Sequence, residues 1–237
     1  MEHLDALAEL AGERQRELDG AIADWRQGPG ADVRLWCGPG CGNCCSLTVN
    51  CTFAEALAIA AVLDNSLRER LSAAAARIVA HARQSGDART FLAGYRHAVG
   101  PCPFLGDDAS CSVYALRPLA CRALLATRPP DWCGINLAEL PEFERNAFLA
   151  SLDRDVVAWP THYVAATQEV AANLERGLLL AMIRHVGFGL SGNLPLLVWL
   201  VSEAGVTTAL TTGIAALRDV LADHRIEQSF LVQVEVP

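Results

Sequence analysis

Apolar residues recur along this chain mostly at three- and four-residue steps, the spacing of helices that bury one face. In residues 1–27, Leu4, Leu7, Ala11, Leu18, Ile22 and Trp25 form one stripe, and Gly28-Pro29-Gly30 ends the helix. Thr52-Phe53-Ala54-Glu55 has the pattern of a capping box and predicts a helix running to about Leu63. Ser66-Leu67-Arg68-Glu69 repeats the signature, followed by a stripe of Leu67, Leu71, Ala75, Ile78 and Ala82 that stops at Gly86. A short helix is expected over Phe91–His97. Beyond Pro141, Phe143, Ala147, Leu152 and Val156 suit one helix, and Val164, Thr167, Ala171, Leu174, Leu178 and His185 suit a longer one. Leu194–Ala204 and Thr208–His224 suggest two more. The tail alternates Phe230, Val232, Val234 and Val236, which predicts a single strand or an extended arm.

Two stretches break the helical pattern. Residues 31–51 are glycine-rich and aperiodic, and residues 101–133 carry prolines at 101, 103, 118, 129 and 130. These stretches hold all nine cysteines of the 237-residue chain. The expected organisation is an N-terminal helix in residues 1–30, a cysteine-cluster region in 31–133, and a helical C-terminal region in 134–237 packing on it. The fold class is mainly α: a single helical domain with two cysteine-rich metal-binding loops.

Composition narrows the function. All 19 basic residues are arginine, so a Schiff-base lysine, a pyridoxal phosphate attachment and a phosphate-loop lysine are excluded. A lysine-free chain rich in Ala, Arg and Gly has the composition of a GC-rich bacterial genome. The net charge of −8 argues against a nucleic-acid partner, because phosphate contacts need a basic face. The acidic, amphipathic N-terminus lacks the basic start and apolar run of a signal peptide. Gly177–Val201, the most apolar stretch, contains Arg184, His185, Ser191, Asn193 and Pro195, so no membrane span is expected. A cytoplasmic location follows as the expectation. Thiols stay reduced there, and clustered cysteines are metal ligands more often than disulfides.

The first loop reads Cys37-x3-Cys41-x2-Cys44-Cys45, with Cys51 six positions on; the second reads Cys102-x8-Cys111-x9-Cys121-x11-Cys133. Cysteines two to four residues apart can bring both sulfurs to one metal with little strain. Glycines at 38, 40 and 42 permit the backbone angles of so tight a turn. Cys44 and Cys45 are adjacent, and neighbouring side chains diverge, which suggests that they serve two metals or different irons of one cluster. Eight thiolates divide into two four-sulfur sites, with Cys51 left over. Zinc fits this set, with four thiolates to an ion. An iron–sulfur cluster fits it too. Cys-x3-Cys-x2-Cys is also the spacing in radical S-adenosylmethionine enzymes, but those continue through alternating strands and helices, and here helices follow.

The ordered set Cys37, Cys41, Cys44, Cys45, Cys102, Pro103, Phe104, Leu105, Cys111, Tyr114, Arg117, Pro118, Cys121, Arg122 and Cys133 resembles the zinc- or iron-chelating cysteine-cluster proteins of the YkgJ-like, or CxxCxxCC, family. The resemblance covers residues 37–133. It implies metal chelation through Cys37, Cys41, Cys44, Cys45, Cys102, Cys111, Cys121 and Cys133, as an iron–sulfur cluster or as zinc, in one site or two. A related cysteine cluster occurs in flagellin lysine N-methylases. Two function classes therefore stand: a metal-cluster protein with a redox or interaction role, and an iron–sulfur enzyme modifying a protein side chain or small molecule. The C-terminal helices are the expected surface for a protein partner. Arg117 and Arg122 are expected to brace the second loop, with Phe104 and Leu105 as a lid that excludes water. His185 is read as a core or helix-end residue, and His97 as a spare ligand candidate.

Overall fold

The computed structural model describes residues 2–38, 40–226 and 228–236; Pro39, inside the first cysteine turn, lies outside them. The chain is 61% helical, with eleven α-helices and three short strands among the described residues. In chain order these are α1 (Glu2–Gln27), β1 (Asn50–Thr52), α2 (Phe53–Ala60), α3 (Asn65–Ser85), α4 (Ala88–Ala98), α5 (Leu119–Ala123), α6 (Asp131–Gly134) and α7 (Glu142–Ala150). They continue with α8 (Ala165–Val186), β2 (Gly189–Asn193), α9 (Leu194–Ser202), α10 (Val206–Thr212), α11 (Ile214–Asp223) and β3 (Val232–Glu235).

The predicted stripes become the core. Leu7, Ala11 and Leu18 of α1 are buried, as are Leu71, Ala75, Ile78 and Ala82 of α3 and Leu174 and Leu178 of α8. One hydrophobic cluster runs from Leu7 to Val232. Its centre is α9, which buries Leu194, Leu196, Leu197, Val198 and Leu200 and so is apolar on every side. α8 packs on α1 and α5, and α9 on α2 and α3. The two halves of the sequence thus share one core around the cysteine loops.

Boundaries differ from the sequence expectations for local reasons. α2 begins with its capping box: Thr52 accepts from the Glu55 amide at 3.4 Å, and the Thr52 amide donates to Glu55 at 2.8 Å. It stops at Ala60, because Asp64 takes an extended backbone to cap α3 and accepts from the Leu67 amide at 2.8 Å. Ser66 therefore lies inside α3 and is not its cap. α7 ends at Ala150, and Leu152 and Val157 pack beside Phe148 from the turn that follows. The single helix expected over 208–224 is two, broken at Gly213, whose φ of +126° is open to glycine but not to L side chains.

The tail strand is present, and it has partners. β3 pairs antiparallel with β2, and β2 pairs antiparallel with β1, which places Cys51 opposite Gly192. A Cβ at Gly192 would meet the Leu231 carbonyl at 2.5 Å, so only glycine lets the tail approach this closely. No single helix among the described residues is long and apolar enough to cross a membrane. The α9–α10 pair has the length and composition but bends by 78°, and α9 is inside the core.

Candidate metal centre

The first loop enters extended through Cys37, turns at Gly40 (φ +79°) and coils into a 3₁₀ turn, Asn43–Ser46, that carries Cys44 and Cys45. The second loop docks on it directly. The Cys102 amide donates to the Cys45 carbonyl at 2.8 Å, and a Cβ at Gly42 would sit 2.9 Å from the Leu105 side chain. Cys102 and Cys111 are held across a small hairpin in which Leu105 bridges to Cys111 and the Ser112 amide donates to Phe104 at 2.8 Å. Cys121 lies on α5 and Cys133 on α6, and α6 packs against the 3₁₀ turn.

Cys41, Cys44, Cys45, Cys102, Cys111 and Cys121 all line one cavity of about 240 Å³. The remaining wall is largely apolar, with Phe104, Val113, Leu124, Leu194 and Pro195, and Arg117 is its one charged residue among the described residues. Cys37 and Cys133 flank this cavity. The Cys37 sulfur accepts from the Ala126 amide at 3.1 Å, and Cys133 is buried in a small cluster with Ala126 and Tyr163. Among the described residues, no three His, Cys, Asp or Glu side chains are gathered as the ligand set of one ion. Cys51 is buried in β1 and does not line the cavity.

Burial pushes the thiols of Cys37, Cys111, Cys121 and Cys133 up, and that of Cys102 up to about 12. The reason is that a bare thiolate in apolar surroundings is poorly solvated. A further rise comes from neighbouring sulfurs, and it divides them into two groups. Cys37, Cys41 and Cys44 act on Cys133, whereas Cys102, Cys44 and Cys111 act on Cys121. Cys44 belongs to both groups. A bound cation would reverse the penalty by supplying the positive charge these thiolates lack. The donor set suits a soft, thiolate-binding metal such as zinc or iron.

The two arginines of the motif have different surroundings. Arg122 is buried, gives Asp19 two hydrogen bonds at 2.9 and 2.7 Å and donates to the Arg117 carbonyl at 2.8 Å, tying α5 to α1. Arg117 stacks its guanidinium 4.0 Å over the Tyr114 ring, and its buried Nε has no hydrogen-bond partner. Its charge lowers Cys111 and Cys121 against the effect of burial. Phe104 is buried on the cavity wall. His97 is exposed and absent from the cavity wall, and His185 lies in the last turn of α8, its ring 5.7 Å from that of His3.

Two features escaped the sequence reading. His162 places its Nε2 3.3 Å from the Cys133 sulfur. It stands 29 residues beyond Cys133 in an aperiodic turn, and no pattern in the sequence links the two. The second feature is a pair of carboxyls behind α5. Glu55, fully buried, accepts from the Leu119 amide at 2.7 Å, and Glu175 of α8 lines a pocket together with Ala120. Burial first, and the charge of Glu55 second, push Glu175 up to about 7. Below pH 4.5 the group is protonated whether the chain is folded or not. As pH rises from there to about 7 the unfolded chain ionises first, so stability falls across that window. Thermal melts of Glu175→Gln should show a weaker decline between pH 4.5 and 7 than the wild-type chain. Parallel curves would mean that Glu175 titrates normally.

Thiols from two loops docked on a helical core line one cavity, a donor set of the kind that suits soft metals. A family model, CxxCxxCC, described as "Putative zinc- or iron-chelating domain", matches residues 36–145, a little under half of the chain. The match takes in the eight candidate cysteines and ends within α7. No curated protein and no solved structure matches the chain.

Proposed function

We propose that the protein is a metal-cluster protein whose cavity holds an iron–sulfur cluster on thiolates of Cys102, Cys111 and Cys121 and one of Cys44 and Cys45. The observation that carries this reading is the cavity itself: six thiols from two loops around about 240 Å³ of apolar space. A single zinc takes four thiolates, whereas six thiols line this cavity. A polynuclear cluster needs both the space and the spread of sulfurs. The other of Cys44 and Cys45, with Cys37, Cys41 and Cys133, forms a second four-thiolate set beside it. Adjacent cysteines whose side chains diverge are suited to joining two such sets. The surrounding apolar wall would keep water from the metal and set its reduction potential.

The test is anaerobic purification followed by a visible spectrum and by iron, sulfide and zinc analysis. A brown chain with iron and acid-labile sulfide is expected. A colourless chain with two zincs would overturn the iron–sulfur reading and leave two structural ions in its place. A cluster spectrum that changes when S-adenosylmethionine is added would instead point to an enzyme.

A further inference from the structure

We propose that His162 and Tyr163, which lie beyond the family-matched segment, donate hydrogen bonds to the Cys133 sulfur, so that the C-terminal part of the chain completes the metal centre. The inference rests on Cys133 being a metal ligand. It begins with the backbone. Residues 125–127 run between two extended segments: the Trp36 amide donates to the Ala126 carbonyl at 2.9 Å on one side, and the Val164 amide to the Leu125 carbonyl at 3.0 Å on the other. The Thr127 amide and hydroxyl both donate to the His162 carbonyl, at 3.0 and 2.9 Å. This pairing fixes residues 162–164 next to the segment that touches Cys37.

The side chains are equally constrained. His162 is only 5% exposed, with the Phe148 ring edge-on at 5.9 Å and the Tyr163 ring at 4.3 Å. Its Nε2 faces the Cys133 sulfur at 3.3 Å, and Tyr163 packs against Cys133 in the same small cluster. A thiol is a weak donor, whereas a thiolate accepts from several donors at once. A sulfur beside both an imidazole nitrogen and a tyrosine is therefore placed to accept from each. The neutral imidazole carries one proton, and a ligand thiolate at Cys133 would require that proton on Nε2. Donors to a ligand sulfur orient it and draw off part of its charge, and removing such a partner commonly costs 10–100-fold in metal affinity. His162 and Tyr163 are thus positioning residues acting through Cys133.

Cobalt(II) added to the metal-free full-length chain under anaerobic, reducing conditions provides the test. Its thiolate charge-transfer band reports the sulfurs, and competition with a chelator reports affinity. His162→Ala and Tyr163→Phe should each weaken cobalt binding about tenfold or more. Each should also move the band to longer wavelength, because a thiolate without its donors gives up charge more easily. His162→Gln, whose amide still donates, should recover most of the affinity and the original band. Tyr163→Phe removes one hydroxyl and keeps the ring, so it reads the effect if His162→Ala fails to fold. Unchanged affinity and band in both His162→Ala and Tyr163→Phe would overturn the proposal. So would a His162→Gln chain as weak as His162→Ala with its band unmoved, since packing alone would then explain the loss. A wild-type chain with no thiolate band at all would overturn the metal reading itself, a result distinct from either.

Discussion

Anaerobically purified Cys121→Ser should lose most of the metal from the cavity, whereas Cys51→Ala should carry as much as the wild-type chain. The two cysteines occupy neighbouring elements, and burial raises the thiols of both. They differ in what they face. Cys121 opens onto the cavity with five other cysteines, while Cys51 lies inside β1, opposite Gly192. Four-thiolate sites bind with roughly 10–16 kcal/mol in all. One ligand of four then accounts for about 3 kcal/mol or more, at least a hundredfold in affinity. Serine keeps the size of the side chain and removes the soft donor, so metal content separates ligation from packing. Equal losses in the two variants would place Cys51 among the ligands and displace one of the eight.

The second large effect concerns the support beneath Cys121. Glu55→Ala should destabilise the metal-free chain by about 3–5 kcal/mol in chemical denaturation, because several buried donors lose their acceptor. One Glu55 oxygen takes the Leu119 amide at 2.7 Å; the other takes the Thr52 amide and hydroxyl, both at 2.8 Å. The carboxyl is completely buried and joins the start of α2 to the start of α5. Burial raises its pKa even though all three donors, and the charge of Arg122 beyond them, pull it back. Glu55→Gln keeps an acceptor for Leu119 but turns an amide toward the Thr52 donors, so an intermediate loss is expected. A loss below about 1 kcal/mol for Glu55→Ala would show that water replaces the carboxyl. Since α5 carries Cys121, the variant should also retain metal poorly.

Glu55 marks the boundary of what is legible in the sequence. Its place in a capping box is visible in four consecutive residues, and the structure forms that box. Its second bond, to an amide 64 residues away, is not visible. The same holds for the strands. Alternation in Val232, Val234 and Val236 marks the tail, but β2 reads Gly-Leu-Ser-Gly-Asn and β1 Asn-Cys-Thr, too short and too polar to show a period of two. The single helix expected over 208–224 fails at one residue. A glycine within an apolar stripe looks tolerable by spacing, and only its backbone angle reveals the break.

The sequence by itself determined the helical class and the gathering of the thiols in two loops. Those properties reside in spacing, and spacing is local: a stripe every three or four residues, or thiols two and three residues apart. The tertiary structure decided which sulfurs share a wall and that Cys51 lies away from it. It also brought His162 and Tyr163 to Cys133 and Glu175 to the back of α5. These are contacts between segments far apart in the chain. They arise because the helices must bury their apolar faces in one core, and the loops and turns are carried to wherever that packing puts them.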